Sequence, residues 1–432
     1  MNVAMNNLLE EYQSVRGMPD VLPEDTGIFQ YLEAILLNLM QQYGYRQIRL
    51  PLLEKTALFK RAIGDATDVV EKEMFSFLDE KSRSLSLRPE GTASCVRACI
   101  EHGLLRNLPQ RLWYLGPMFR YEAPQKGRYR QFNQLGVECF GVTGWEIEIE
   151  QIAMFSRLWR ILELENIVQL EINNLGTQEV RKNYSKDLVI YFNKYKDQLD
   201  LDSQRRLYTN PLRILDSKNL NLREIIKNAP KLHDYLDQES LNNYQSFKNQ
   251  LLLLGIKFIE NTNIVRGLDY YTGIVWEWTS SLLGAQTALG GGGRYDGLIE
   301  QLGGNWVPAV GLAIGIERVL ILLKQQNSHK LPTINLDGYL ISVGESALLQ
   351  KFSIAEKIRD SFSGFSLIVD VLGGNFKNQF KRADKSGAKI AFILGEDEIN
   401  TNSITIKYLR DSTKQQTTVH LEELEHVLME CK

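Results

Sequence analysis

At 432 residues the chain is too long for one ordinary core, and 44% hydrophobic with 24% charged residues is the balance of a globular protein in water. A formal net charge of −3 excludes a uniformly basic nucleic-acid coat, while leaving room for a basic surface on one face. The cysteines, Cys95, Cys99, Cys139 and Cys431, form no Cys-x-x-Cys pair and have no histidines at zinc spacing, so no structural metal is expected.

The first eleven residues are polar and carry no apolar signal-peptide core. No run reaches the roughly 18 apolar residues that span a bilayer, and the expected location is a reducing cytoplasm. After a loop punctuated by Pro19 and Pro23, Thr26 to Tyr43 has the spacing of an amphipathic helix through Ile28, Leu32, Ile35, Leu36 and Leu39. Gly44 stops it, and Tyr45 to Leu50 alternates like a strand ending at Pro51. Further strands are predicted at Leu85 to Leu87, Arg111 to Leu115 and Arg130 to Phe140. The last places Phe132, Gln134, Gly136 and Glu138 on one face. This pattern indicates an α+β domain on a mainly antiparallel sheet, spanning residues 1–176 and 257–327. Residues 177–256 read as a helical insertion, with helical stretches at Asp187 to Leu199 and Leu241 to Leu254. Gly-rich strands resume from Phe258 to Gly304, and a helix is predicted over Val310 to Leu323. A βαβα alternation from Gly338 to Leu394 predicts a separate α/β domain with a mainly parallel sheet over residues 331–432.

Four segments carry residues suited to chemistry. Gly116-Pro-Met-Phe-Arg-Tyr-Glu122 and Arg128 to Glu138 read as a hairpin joined by Ala123 to Gly127. Arg120 and Glu122 would share one side of its first strand. It offers a guanidinium for a phosphate, an aromatic ring for a base, and acids and amides for a polar ligand; a solvated, charge-laced hairpin has the same composition. Ala288-Leu-Gly-Gly-Gly-Gly-Arg-Tyr-Asp-Gly297 permits close backbone approach of a ligand or merely a bulged strand. It is no P-loop, since it lacks the Gly-Lys-Ser/Thr ending. Arg318, in Gly311-Leu-Ala-Ile-Gly-Ile-Glu-Arg318, is placed to meet a terminal phosphate or simply to pair with Glu317. In Leu87-Arg-Pro-Glu-Gly-Thr92, Thr92 is a plausible helix N-cap and Glu90 a partner for an ammonium group.

In order along the chain, Thr26 to Pro51, Phe119 to Glu122 and Gly311 to Arg318 resemble the three signature motifs of class II aminoacyl-tRNA synthetases. Arg266-Gly-Leu-Asp-Tyr-Tyr-Thr-Gly273 and Leu289 to Asp296 resemble the two histidine-binding signatures of histidyl-tRNA synthetases, bacterial branch. Arg16-Gly-Met-Pro-Asp20 and Phe59-Lys-Arg-Ala-Ile-Gly-Asp65 are similar to that family too, and the likeness runs from about residue 15 to 425.

The resemblance implies two steps: histidine and ATP give histidyl-adenylate and pyrophosphate, and the histidyl group passes to the terminal ribose of tRNA(His). It implies Arg120 at the α-phosphate, Arg318 at the γ-phosphate, Arg266 as catalytic charge near the α-phosphate, Phe132 stacked on adenine and Glu122 at its amine. Mg²⁺ accompanies the ATP. Glu90 and Thr92 would take the ammonium group of histidine, with Gln134 beside it. Glu138 and Tyr271 would hold the imidazole nitrogens, and Tyr270 and Tyr295 would line the pocket. Gln125, Lys126 and Arg128 are expected at the tRNA acceptor end, although Ala123 and Asn133 stand where many relatives carry arginine and histidine. The 331–432 domain is implied to bind the anticodon region. Its Lys377, Lys381 and Lys385 fall on one helical face, with Arg382 and Lys389 nearby and only Asp384 opposing them. A homodimer is implied, with its interface at Thr26 to Tyr43 and the strand after it. The competing reading is a histidine-sensing regulatory subunit of ATP phosphoribosyltransferase on the same fold. Relatives of that kind lack the last domain and erode the ATP-site arginines, whereas Arg120, Arg266 and Arg318 are present here.

Overall fold

The computed structural model describes residues 12–64, 67–215, 217, 219–264, 268–284, 287–326, 336–362 and 364–429. Backbone contacts divide the chain into two compact units, Met1–Leu331 and Pro332–Lys432.

The first unit opens with helix α1 (Pro23–Gln42), whose buried Ile28, Leu32, Leu36, Leu39 and Met40 follow the helical repeat onto one face. It begins three residues ahead of the predicted Thr26 because Pro23 suits the first helical turn, where no N–H is needed. The chain then runs through β1 (Arg46–Gln47), β2 (Leu53–Lys55), α2 (Thr56–Ile63), β3 (Ser76–Leu78), β4 (Ser84–Leu87) and α3 (Thr92–Glu101). The hairpin β5 (Gln110–Phe119) and β6 (Gln131–Phe140) follows, then α4 (Glu146–Ile161) and β7 (Gln169–Asn174). Helices α5 (Gln178–Asn193), α6 (Leu201–Thr209), α7 (Arg223–Lys227) and α8 (Gln238–Leu253) intervene before β8 (Phe258–Glu260). Strands β9 (Thr272–Thr279) and β10 (Ala288–Arg294), helix α9 (Leu298–Gln301), β11 (Ala309–Gly315) and α10 (Ile316–Gln326) complete the unit.

Eight strands form one sheet in the order β1-β5-β6-β11-β10-β9-β7-β8. The five central pairings are antiparallel, while the edge pairs β1·β5 and β7·β8 are parallel. Strands β2, β4 and β3 make a small separate sheet. α1, α4, α8 and α10 contribute to one apolar core against the large sheet, and α2, α3 and helices α5–α7 to a second.

Two predicted elements differ in ways that bear on the cavity described below. Val310 to Gly315 is strand, not helix, and the helix starts at Ile316. Its glycines let this stretch sit between β6 and β10, paired on both sides, so sheet hydrogen bonding overrides its aliphatic look. The first hairpin strand ends at Phe119, so Arg120 and Glu122 do not share a strand face. The Arg120 amide still donates to the Arg130 carbonyl (2.9 Å), but the Tyr121 amide turns away to the carbonyl of Glu73 (2.7 Å).

In the second unit β12 (Gly338–Ser342), α11 (Glu345–Ser361), β13 (Leu367–Val369), α12 (Phe376–Lys385) and β14 (Ile390–Leu394) form consecutive βαβ units. After α13 (Glu396–Asn400) come β15 (Ser403–Tyr408), β16 (Thr417–His420) and α14 (Leu424–Met429). The sheet order is β13-β12-β14-β15-β16, parallel across the first three strands and antiparallel beyond them. No helix among the described residues is long and apolar enough to cross a membrane.

Candidate active site

The centre of the large sheet carries a cavity of about 400 Å³. Strand β6 contributes Phe132 and Gln134, β9 Glu277, β11 Leu312, Ala313 and Gly315, and the start of α10 Glu317 and Arg318. The turn into α3 adds Glu90 and Thr92, the hairpin loop Arg120, Glu122 and Arg128, and the segment before β9 Tyr270 and Tyr271.

The two-residue repeat of a strand sends Phe132, Gln134, Gly136 and Glu138 to the same face of β6. Gly136 leaves a gap in that row, and the ring of Tyr114 fills it. Tyr114 lies opposite Gly136 in the β5–β6 register, and a Cβ at Gly136 would overlap its ring. The Tyr114 hydroxyl donates to Oε1 of Glu138 at 2.9 Å. Thr92 Oγ1 donates to the same oxygen at 2.8 Å, and the Tyr295 hydroxyl to Oε2 at 2.5 Å. Glu138 is 1% exposed. Burial pushes its pKa up to about 8, even though three hydroxyl donors favour the ionised form. Gly311 faces Glu138 across β6·β11, and a Cβ there would overlap Oε2. Glu138 and Tyr295 are thus buried behind Thr92 rather than lining the cavity themselves.

Thr92 is the first residue of α3 and not its cap, as its hydroxyl goes to Glu138. The capping role falls to Glu90, whose carboxylate accepts from the amides of Thr92 (2.6 Å) and Ala93 (2.8 Å). A carboxylate there satisfies helix N–H groups that have no partner in the helix and meets the positive end of its dipole. Burial raises the Glu90 pKa, while these amides and Arg120 oppose the rise.

Tyr270, Tyr271 and Tyr295 form a buried aromatic corner beside Glu138, with ring centroids 4.7 Å (270–271), 5.5 Å (270–295) and 6.4 Å (271–295) apart. Arg266, from the same sequence signature, lies outside the described residues, as does Asp65 of the Phe59 run.

Cations gather at the other end. Arg120 Nε donates to the Pro89 carbonyl at 2.9 Å, and its guanidinium stands 5.4 Å from the Phe132 ring centroid. Arg318 donates from Nε to Gly127 O at 2.9 Å and from Nη1 to Ala288 O. Its pKa is lowered by burial and by the nearby Arg128 and Arg120. The simpler pairing of Arg318 with Glu317 does not form. Glu317 instead accepts from the Asn133 amide (2.8 Å) and side chain (3.0 Å). Glu122 is in an ion pair with Arg128, which also stands 3.9 Å from Glu73. Arg128 lines the cavity, whereas Gln125 and Lys126 occupy the turn closed by Gln125 and Arg128.

Tyr114, Glu277 and Glu317 escaped the reading of the sequence. Tyr114 is tied to Gly136 on the next strand, and only the pairing register links the two. In the second unit Lys377, Lys381 and Lys385 are carried on α12. Arg382 is neutralised by buried Asp370 (2.7 and 2.9 Å), and Lys389 pairs with Asp337 at 2.8 Å.

The chain resembles known proteins over most of its length. Residues 17–319 match the family model described as histidyl-tRNA synthetase, and residues 339–430 match the anticodon binding domain. A histidine–tRNA ligase of Legionella pneumophila (strain Lens) is 50% identical over 408 residues, covering 94% of this chain and 96% of that protein. The crystal structure of apo S. aureus histidyl-tRNA synthetase superposes with a TM-score of 0.80 at 36% identity, covering 96% of this chain and 99% of that one. The histidyl-tRNA synthetase of Nostoc sp., at 18% identity and a TM-score of 0.66 over 97% of this chain and 99% of that one, shares the fold. With the catalytic-domain match spanning well over half its length, the chain belongs to the histidyl-tRNA synthetase family.

Proposed function

We propose that this cavity is where the chain, which ligates L-histidine to tRNA(His) at the expense of ATP, forms histidyl-adenylate. The observation that carries the reading is a carboxylate buried among hydroxyls just behind Thr92 at one end of the cavity, with guanidinium groups converging on the cavity at the other. A neutral imidazole has one donor and one acceptor, and Glu138 with a neighbouring phenol such as Tyr271 satisfies both. An apolar side chain offers neither the donor nor the acceptor that such a pair reads, which is the basis for discriminating histidine from apolar amino acids. Thr92, Glu90 and Gln134 stand where the ammonium group of histidine would lie, beside the aromatic corner.

At the nucleotide end Phe132 offers its ring to adenine, Glu122 lies beside it, and Arg120 and Arg318 receive the phosphates. In the first step a histidine carboxylate oxygen attacks the α-phosphorus, and the bond to pyrophosphate breaks. Arg120 lies against Phe132 and Pro89 and is suited to the charge growing on the α-phosphate oxygens; Arg266 is assigned the same duty. In the second step a terminal ribose hydroxyl of the tRNA attacks the carbonyl and AMP leaves. Catalysis here is positioning plus fixed positive charge, with no covalent enzyme intermediate. Glu277 and Glu317, both lining the cavity, would be the carboxylates to hold Mg²⁺ arriving with ATP, and the ion would offset phosphate charge.

Lys126 and Gln125 at the hairpin tip are assigned to the acceptor end of the tRNA, with Arg128 beside them, and the α12 lysines to the anticodon region. Exposed Leu37 on α1 and Leu52 and Leu53 after it support a homodimer through that surface. Buried, free Cys95, Cys99 and Cys139 accord with a cytoplasmic setting.

Histidine-dependent exchange of pyrophosphate into ATP by the purified protein, followed by charging of tRNA(His), tests the reading. A protein that binds histidine without exchange would be the regulatory subunit instead. Sedimentation equilibrium tests the dimer.

A further inference from the structure

Tyr270 and Tyr271, beside Glu138, sit on an irregular segment just before β9, and the helical insertion supplies three side-chain hydrogen bonds to it. Arg181 of α5 donates from Nη1 to the carbonyls of Asp269 (3.2 Å) and Tyr271, bracketing Tyr270. Asn210, at the end of α6, donates through Nδ2 to Oδ1 of Asp269 at 2.8 Å. Within the sheet domain, the Asp269 amide makes a long hydrogen bond to the Ile63 carbonyl (3.4 Å), and Gly64 lies against its carboxylate. Arg181 is itself a buried cation: its pKa is lowered by burial and supported by the Asp269 charge. A guanidinium taken out of water and committed to two main-chain carbonyls is a costly way to hold a loop. It is a sensible one where the loop's exact path matters.

The same insertion reaches the opposite rim. The π-helical turn Val69–Glu73 brings Val69 to the cavity and Glu73 to Arg128. It is tied to α6 by Arg206 to Asp68 (2.7 Å), Arg205 to Glu71 (3.1 Å) and Lys72 to Asp202 (3.5 Å). Such turns depart from regular helix geometry and persist where surroundings hold them. Two separate strips of cavity wall, far apart in sequence, are thus fastened to one pair of insertion helices.

We infer that Arg181 and Asn210 are positioning residues for histidine recognition: by fixing Asp269 to Tyr271 they set where Tyr270 and Tyr271 stand relative to Glu138. The inference rests on the assignment of Tyr271 and Glu138 to the imidazole. It makes the insertion part of amino-acid selection although none of its described side chains lines the cavity. The fasteners act on the histidine end and leave Arg120, Phe132 and Arg318, which the sheet and hairpin hold, in place.

The test uses the full chain in pyrophosphate exchange, with histidine and ATP varied separately. Arg181→Met keeps the apolar stem and removes the donors; Asn210→Ala removes the second fastener. Each is expected to raise the histidine KM by about tenfold or more, the order reached when a remote change misplaces a binding group, while the ATP KM stays near its original value. Arg181→Lys, which restores a donor, should recover part of the loss. A purely structural role predicts a lower melting temperature with both KM values unchanged or moved together, and that result overturns the inference. If Arg181→Met does not fold, Asn210→Ala and Arg181→Lys decide on the same criterion. Tyr271→Phe run alongside separates the two levels. If it leaves the histidine KM unchanged, the pocket assignment fails and the inference falls with it. If it raises the histidine KM and the insertion variants do not, the inference alone fails.

Discussion

Tyr114 and Glu138 are locked together across the β5–β6 hairpin: the phenol donates to the carboxylate at 2.9 Å, and the ring occupies the volume a side chain at Gly136 would need. The carboxylate is thereby aimed by the sheet rather than by a mobile loop. Removing the hydroxyl with Tyr114→Phe should weaken histidine binding by roughly 0.5–1.5 kcal/mol, the net worth of a hydrogen bond between uncharged groups, since Glu138 keeps its proton below about pH 8. Steady-state exchange should show a higher histidine KM with little change for ATP; equal changes in both would contradict the assignment.

The packing around this pair gives a second expectation. Gly311→Ala would set a methyl group against Glu138 Oε2, and Gly136→Ala one against Tyr114. Overpacking of this kind costs about 1–3 kcal/mol, so both variants should melt earlier and lose histidine-dependent exchange. Wild-type exchange by either alanine variant would show that the floor of the site yields more easily than its geometry implies.

Stability should depend on pH through Glu138. Its folded pKa of about 8 stands above the ordinary 4.5. Between those values the folded protein keeps a proton that the unfolded chain has released, so stability falls as pH rises through the window and levels off above it. The slope from such a group approaches about 1.4 kcal/mol per pH unit. Glu148, raised to about 7, acts in the same direction. Denaturation midpoints at pH 6 and pH 8 should therefore differ less in Glu138→Gln than in the unaltered protein. Identical differences would mean that Glu138 does not titrate in this range.

Arg318 is crowded by Arg120 and Arg128, a like-charge arrangement that a polyphosphate relieves. Arg318→Gln should raise the ATP KM by about an order of magnitude, given the strength of charge-assisted bonds. The histidine KM should hardly move. A variant whose two KM values rise in parallel would point to general collapse of the site.

The α12 lysines address RNA rather than adenylation. Replacing Lys377, Lys381 and Lys385 with Gln should leave pyrophosphate exchange intact and weaken tRNA binding. For every phosphate that a lysine no longer neutralises, the slope of log K against log salt should become shallower by about 0.7–0.9. An unchanged salt slope would return this stripe to the status of a solvated helix face.

Residues whose role follows from strand alternation were legible beforehand: Phe132, Gln134 and Glu138 share a face because of their spacing alone. The helix ahead of Pro51 was legible from its apolar repeat, although its strand shrank to Arg46–Gln47, with Ile48 adding one amide bond to the Trp113 carbonyl of β5. What could not be read was whatever depends on register or on long-range approach. Tyr114 looks like any strand aromatic until it is paired with Gly136, and Thr92 looks like a cap until Glu90 takes the amides and Glu138 the hydroxyl. Val310 to Gly315 has helix-compatible residues, and only neighbours on both sides make it a strand. The inward placement of Arg128 was beyond reach for the same reason, since it depends on Glu122 and Glu73.

One strand, β6, carries Phe132 near one end and Glu138 near the other, six positions along an extended chain. At about 3.3 Å per residue that is a fixed interval of roughly 20 Å, held by neighbours on both sides. On the assignment proposed above, the strand works as a ruler between the base and the imidazole, graduated by the pleat. Closing loops can tighten the grip on either substrate, but they cannot change the interval. A single residue inserted between Gln134 and Glu138 would turn one end of the ruler over, leaving each half able to recognise its own ligand and the two unable to meet.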